Sequence, residues 1–123
     1  MVESNEARDR QREYAISVRA TIEAMGYKVP NGPSGGRIWV IRDEPFEETK
    51  GGLIIPDAAK RKRQTGTVVG ISTQAQEEEP DLKILDHIAF TKYEPILIQL
   101  ADTAGNMMDI EVMHVTDMYV FWS

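Results

Sequence analysis

Residues 96–113 read ILIQLADTAGNMMDIEVM, and this stretch decides the fold class. Two runs rich in Ile, Leu and Met, at residues 96–100 and 107–113, flank a polar stretch that holds Asp102, Gly105 and Asn106. Apolar runs on either side of turn-forming residues predict the two strands of a β-hairpin.

The same alternation of short apolar runs and turn residues extends in both directions from this hairpin. Further strands are predicted at residues 37–42, 67–72, 87–93 and 118–122, where Val, Ile, Tyr and Phe are frequent. Five or six short strands in roughly ninety residues predict an all-β fold, a small β-barrel or sandwich. Closure of such a barrel removes exposed strand edges.

The N-terminal residues show a different period. Residues 4–25 predict an α-helix, because good helix formers dominate and Gly26 follows. Its narrow apolar stripe favours weak docking or a bridge to a neighbour, with a frayed tail as the alternative. The stripe consists of Ala7, Tyr14, Val18, Ile22 and Met25. A Pro- and Gly-rich linker follows at residues 29–36, so we expect a helical extension over residues 1–36 and a β-barrel domain over residues 37–123.

Composition limits the functional classes. The 123 residues carry a formal net charge of −6, which disfavours nucleic acid and anionic lipid as partners and favours proteins. The basic run at residues 60–63 lacks interleaved aromatics and is interpreted as a solvated loop flank. With no cysteine, no apolar run of membrane-spanning length and a polar N-terminus, the sequence predicts a cytoplasmic protein.

The connection between the first two predicted strands is unusually long. A loop is predicted at about residues 46–65, with three large aliphatic side chains placed in polar chain. A seventh strand is the alternative, but three residues are short for a strand, the diglycine is costly to order and proline cannot donate to a ladder. We therefore predict a binding tip at Gly51, Gly52, Leu53, Ile54, Ile55 and Pro56.

The order of these features resembles the GroES-type co-chaperonin family. The loop carries an acidic stretch, Gly51-Gly52, three aliphatics, Pro56 and a basic run, and Gly66-Thr67-Val68-Val69 follows it. Residues 37–41, 82–90 and 111–120 are similar to the family's first core strand, to the segment leading into its third main strand and to its C-terminal strand. The resemblance covers about residues 37–122, and its divergence is typical of a bacteriophage-encoded member.

The resemblance implies a sevenfold ring of GroES-like β-barrel subunits that caps a GroEL-type chaperonin and assists protein folding. The partner hydrolyses ATP, so the chain itself is expected to be no enzyme. In the family a mobile loop binds the chaperonin through its aliphatic triplet, which transfers here to Leu53, Ile54 and Ile55. An N-terminal segment of one subunit pairs with the C-terminal strand of the next, which places Val29, Pro30, Met118, Tyr119, Val120, Phe121 and Trp122 at the subunit interface.

Two segments depart from the family's pattern. Where the family has a roofing hairpin, residues 73–81 are short and carry Glu77, Glu78 and Glu79, for which we expect a solvated acidic turn. The N-terminal 36 residues precede the point at which the family's subunits usually begin.

Other chemistry is disfavoured. His87 and His114 have no metal-ligand spacing, so both are interpreted as strand residues, and no metal or cofactor is predicted. Asp102-Thr103-Ala104 departs from the Asp-Thr-Gly of dimeric aspartic proteases at Ala104, although that class stays a distant alternative. The nearer alternative is a ring-forming structural β-barrel module, from a phage or a bacterium, that has no chaperonin partner.

Overall fold

The computed structural model describes residues 5–43, 64–91 and 95–123, and within the first helix it describes side chains from Asp9 onward. The helices are α1 (Asn5–Met25) and α2 (Thr73–Glu78). The strands are β1 (Arg37–Arg42), β2 (Thr65–Ile71), β3 (His87–Phe90), β4 (Ile96–Ala101), β5 (Met107–His114) and β6 (Met118–Trp122). A 3₁₀ turn at Val115–Asp117 joins β5 to β6.

The six strands form one antiparallel sheet in the order β4-β5-β1-β2-β3-β6. The prediction of an all-β fold preceded by a helix is confirmed, and β1 and β6 span the predicted residues. Strand β2 begins two residues earlier than predicted, at Thr65. Because β4 and β6 stand at the two ends of this order, each keeps one backbone edge without a strand partner in the described chain, although closure was expected to remove such edges.

The sheet buries side chains on both faces. Ile38 and Val40 of β1 point into a first core, whereas Trp39 between them points to the opposite face and is 6% exposed. The first core consists of Ile38, Val40, Val68, Ala75, Leu82, Ile88, Phe90, Met113 and Val115. The centre of β1, residues 38–41, is continuously apolar, as expected of a strand that is covered by a layer on each face.

Helix α1 is that second layer. It buries Ala15, Val18 and Ile22 in a second core with Trp39 and Val69, so the docked alternative is confirmed over the frayed tail. Burial of Val18 and Ile22 stabilises docking by roughly 1.5–3 kcal/mol each, an upper bound for area removed from water. The helix ends at Met25, and Gly26 follows with a φ of +76°, a left-handed conformation that favours glycine.

The linker is irregular but attached to the sheet. Tyr27 Oη donates to the carbonyl oxygen of Ala101 at 3.0 Å. Asn31 Oδ1 accepts from the backbone N–H of Gln74 at 2.8 Å. Val29 between them is half-buried beside the second core. These contacts fix the path of the linker from α1 to β1.

The predicted acidic turn at residues 73–81 was wrong, because the segment opens with the short helix α2. Ser72 caps the helix by accepting from the backbone N–H of Ala75 at 3.1 Å, and the side chain of Ala75 is fully buried in the first core. Glu77 and Glu78 point to solvent, as expected of an acidic surface segment. The cap and the buried alanine together stabilise a helical turn where charge alone predicted a loop.

Candidate functional site

The two ends of the long connection are held side by side. Strands β1 and β2 are antiparallel neighbours, with Arg42 opposite Gly66. The backbone N–H of Asp43 donates to the carbonyl oxygen of Thr65 at 3.0 Å, and Thr65 Oγ1 donates to Asp43 Oδ2 at 2.7 Å. Residues 44–63 therefore leave and rejoin the sheet at one fixed point, which we call the loop base: Arg42, Asp43, Gln64, Thr65 and Gly66.

The six predicted binding residues belong to this connection. Gly51, Gly52, Leu53, Ile54, Ile55 and Pro56 all lie outside the described residues. Their role stays a prediction.

Glycine at position 66 allows close approach at the loop base. A Cβ atom there would lie 2.5 Å from Val40 Cγ1 and 2.6 Å from the carbonyl oxygen of Ile41. Both distances are shorter than van der Waals contact, so β2 could not keep this position beside β1 with a larger residue.

Arg42 ties the loop base to two other strands. Its Nε donates to Glu111 Oε2 on β5 at 2.8 Å, and its guanidinium carbon lies 5.0 Å from the ring centroid of Phe90 on β3. The two side chains of the ion pair are 10% and 16% exposed, so solvent screens the pair only weakly. The base is thus braced against two further strands, β5 and β3.

A further contact joins the loop base to the C-terminal strand. His87 Nε2 lies 3.4 Å from Asp43 Oδ2, and the His87 ring stacks on Trp122 with centroids 5.3 Å apart and planes at 21°. Asp43 is 4% exposed. Sequence reasoning identified His87 only as a strand residue, which is confirmed, and no local signal marks its position between Asp43 and Trp122.

Strand β6 combines a free edge with exposed apolar side chains. Tyr119, Val120 and Trp122 are 76%, 52% and 45% exposed, whereas Met118 and Phe121 pack against the first core. Among the described residues, β6 pairs with β3 alone. Of the predicted interface residues of this strand, Tyr119, Val120 and Trp122 are therefore accessible, and Met118 and Phe121 are partly buried.

A groove of about 480 Å³ runs beside this edge. Its walls include Val115, Thr116, Tyr119 and Val120, together with Glu79 of the acidic segment. An unpaired strand edge is the kind of site at which proteins add an extended segment of another chain.

The predicted N-terminal half of the interface lies elsewhere within the subunit. Val29 contacts the second core, close enough to Gly70 that a Cβ there would lie 2.6 Å from Val29 Cγ2, and Pro30 is exposed. Neither pairs with β6 of the same chain. A role at an interface stays a prediction.

The other candidate residues have structural roles. Asp102 Oδ1 accepts from the backbone N–H groups of Ala104 and Asn106, each at 2.9 Å, which confirms the predicted turn between β4 and β5. His114 is the last residue of β5. Among the described side chains, those of residues 9–43, 64–91 and 95–123, no three His, Asp or Glu residues cluster as metal ligands would. In the same ranges no helix is long and apolar enough to cross a membrane.

Comparison with known proteins agrees with this architecture. A family model described as the chaperonin 10 Kd subunit matches residues 31–119. The chain is similar to the co-chaperonin GroES of Methylorubrum populi, with 41% identity over 66 residues, 50% of this chain and 69% of the relative. It is 35% identical to co-chaperonin GroES 1 of Rhizobium meliloti over 91 residues, 70% of this chain and 88% of the relative. Helix α1 precedes the residues matched by the family model.

Proposed function

This chain belongs to the chaperonin 10 Kd subunit family, and from that premise we propose that it is a co-chaperonin that caps a GroEL-type chaperonin and assists ATP-dependent protein folding. The relatives it resembles are named co-chaperonins. ATP is hydrolysed by the partner, and the chain acts as a lid without catalysis of its own in the cytoplasm of a bacterium or of a phage-infected host. The observation that carries the proposal is the loop base, which fixes both ends of residues 44–63 at one point of a sheet of this family.

We assign chaperonin contact to Leu53, Ile54 and Ile55, flanked by Gly51, Gly52 and Pro56. Burial of three such side chains contributes roughly 1.5–3 kcal/mol each. Ordering of the backbone costs about 1–2 kcal/mol per residue. One segment therefore binds weakly, and several copies on a common ring bind tightly through effective concentration and still release when the partner's sites move apart.

The ring supplies those copies. A head-to-tail contact repeated around an axis closes into a ring, and β6 offers the free edge and the groove that such a contact needs. We propose that Val29 and Pro30 of one subunit meet residues 118–122 of the next, and that seven subunits close the ring. Glu77, Glu78 and Glu79 then form an acidic rim, because residues 73–78 of this segment are helix α2 and not the strand of a roofing hairpin.

The direct test is complex formation with a purified chaperonin. We expect the wild-type chain to co-purify with GroEL when ATP is present, and the triple variant L53S/I54S/I55S to lose this binding while its ring stays intact. The double variant A58S/A59S is the matched control, because it adds hydroxyl groups to the same connection without removing a large aliphatic side chain.

Retained binding by the triple variant would remove the assigned role of the aliphatic residues. A wild-type ring that never binds the chaperonin would favour the structural module instead. Both outcomes are read from the same pull-down, with ring integrity checked by sedimentation.

A further inference from the structure

Helix α1 covers an apolar face of the sheet that is otherwise complete. The face is formed by Trp39, Val69, Met108, Ile110 and Val112, from strands β1, β2 and β5. Every one of these side chains belongs to the part of the chain that the family model matches, whereas α1 lies before it. The helix is therefore an addition laid on a surface that the barrel already presents.

The N-terminal half of α1 fits this surface poorly. A cleft of about 300 Å³ lies between the helix and the strands, lined by Gln11 and Tyr14 on one side and by Ile41 and Thr67 on the other. Three charged side chains, Arg10, Arg42 and Asp43, also form its walls. Gln11 Oε1 is buried and has no hydrogen-bond partner in the described part of the chain. An unfilled cleft and an unpaired buried oxygen both weaken docking.

The C-terminal half fits better. Val18 and Ile22 are 2% and 1% exposed, and Arg19 Nη1 donates to the carbonyl oxygen of Val69 at 3.0 Å. Beyond the helix, Tyr27 and Asn31 hold the linker through their own hydrogen bonds. These two side-chain contacts join the linker to the barrel and not to α1, whereas the backbone N–H of Tyr27 donates to the carbonyl oxygen of Ile22 at 3.1 Å. Opening of α1 upstream of Ile22 would therefore leave the linker attached.

We propose that α1 is a displaceable cover, and that the face beneath it binds amphipathic helical segments of non-native polypeptides. The docked helix shows what fits: small or aliphatic residues at positions i, i+3 and i+7, as at Ala15, Val18 and Ile22, and a cation at i+4, as at Arg19. A better occupant has an apolar residue at i−4, because that change removes the buried, unpaired oxygen that Gln11 places there. The identification of the occupant as a folding substrate rests on the proposed co-chaperonin function, whereas the binding face itself does not.

The test uses full-length variants and one defined probe. The probe is a fluorescein-labelled synthetic peptide of residues 5–25 carrying Q11L, and its binding is followed by fluorescence anisotropy. Val18→Asp releases the cover and leaves the acceptor face unchanged, so the apparent Kd of the probe falls by about tenfold or more as the open fraction rises. Gln11→Leu tightens the cover and raises that Kd. Ile16→Asp is the matched control, because Ile16 lies on the same helix and is 45% exposed. We expect this variant to bind the probe with the same Kd as the wild type.

Equal probe affinity in the Val18→Asp, Ile16→Asp and wild-type chains would overturn the proposal. If the Val18→Asp variant does not fold, Ile22→Ala replaces it, because this smaller change also weakens the docking of α1. Hydrogen exchange of the wild-type chain tests independently whether α1 opens. We expect the amides of α1 to exchange through a local opening well before those of β1, and equal protection of the two elements refutes a displaceable helix.

A second arm tests the occupant. Reduced, carboxymethylated α-lactalbumin, a permanently unfolded protein, should compete with the probe on the Val18→Asp chain, and failure to compete rejects non-native polypeptide as the ligand. The L53S/I54S/I55S variant should bind the probe as the wild type does. Loss of chaperonin binding with retained probe binding therefore separates a failure of the proposed function from a failure of this inference.

Discussion

Replacement of Ser72 by alanine should destabilise the subunit strongly for so small a change. The Ser72 side chain is 1% exposed, and its Oγ accepts from the backbone N–H of Arg37 at 3.0 Å and from that of Ala75 at 3.1 Å. The alanine variant loses the N-cap of α2, which costs about 1 kcal/mol. It also leaves the N–H at the start of β1 without this acceptor, which costs about 1–3 kcal/mol. We expect a total loss of about 2–4 kcal/mol in the free energy of unfolding.

The assay is urea unfolding followed by tryptophan fluorescence and circular dichroism, with the subunit concentration held fixed because assembly contributes to apparent stability. Ser34→Ala is the matched control, since Ser34 is exposed in the linker and its loss should change stability by less than about 0.5 kcal/mol. A Ser72→Ala variant as stable as the control would refute the claim that one hydroxyl organises both β1 and α2.

The remaining predictions concern the loop base and the free edge. Arg42→Met should lower the free energy of unfolding by about 2 kcal/mol, because Glu111, which is 16% exposed, loses its charged hydrogen-bond partner. Urea unfolding measures the change, and an unchanged midpoint would contradict a bracing role for Arg42. Val120→Lys should dissociate the ring without unfolding the subunit, because it places a charge on the free edge of β6. Sedimentation velocity measures the assembly state, and Thr103→Lys at the exposed β4–β5 turn is the control. An intact ring in the Val120→Lys variant would place the interface elsewhere.

Local pattern predicted the strands well. The bounds of β1 and β6 follow from runs of apolar residues set between turn residues, and the β4–β5 turn follows from Asp102 and Gly105. These signals depend on neighbouring residues along the chain, so a single sequence contains them. Helix α2 could not be predicted from such local signals. One hydrogen-bond partner of Ser72 is Arg37, 35 residues away, and Ala75 becomes buried only once the barrel has formed.

The docked face of α1 illustrates the same limit. Helical spacing correctly indicated Val18 and Ile22, but Tyr14 and Met25 of the predicted stripe are 48% and 41% exposed. Ala15 is fully buried instead. A narrow stripe leaves the rotation of a helix undetermined, and the shape of the sheet decides it.

The candidate site divides in a similar way. The aliphatic binding residues are visible in sequence because Leu53, Ile54 and Ile55 stand out from polar surroundings. The loop base could not be predicted from the sequence, because the Arg42–Glu111 pair joins residues that are 69 positions apart. The contact of His87 with Asp43 and Trp122 likewise requires the neighbouring ends of β1, β3 and β6 to meet.

The central claim is that several weak apolar contacts bind the chaperonin tightly because one oligomer carries them all. The mass of the native protein in solution tests this claim most directly. Native mass spectrometry at micromolar subunit concentration should give a single closed species near seven times the subunit mass of 13.9 kDa. A monomer under those conditions would contradict the account, because no shared ring would then hold the binding segments together.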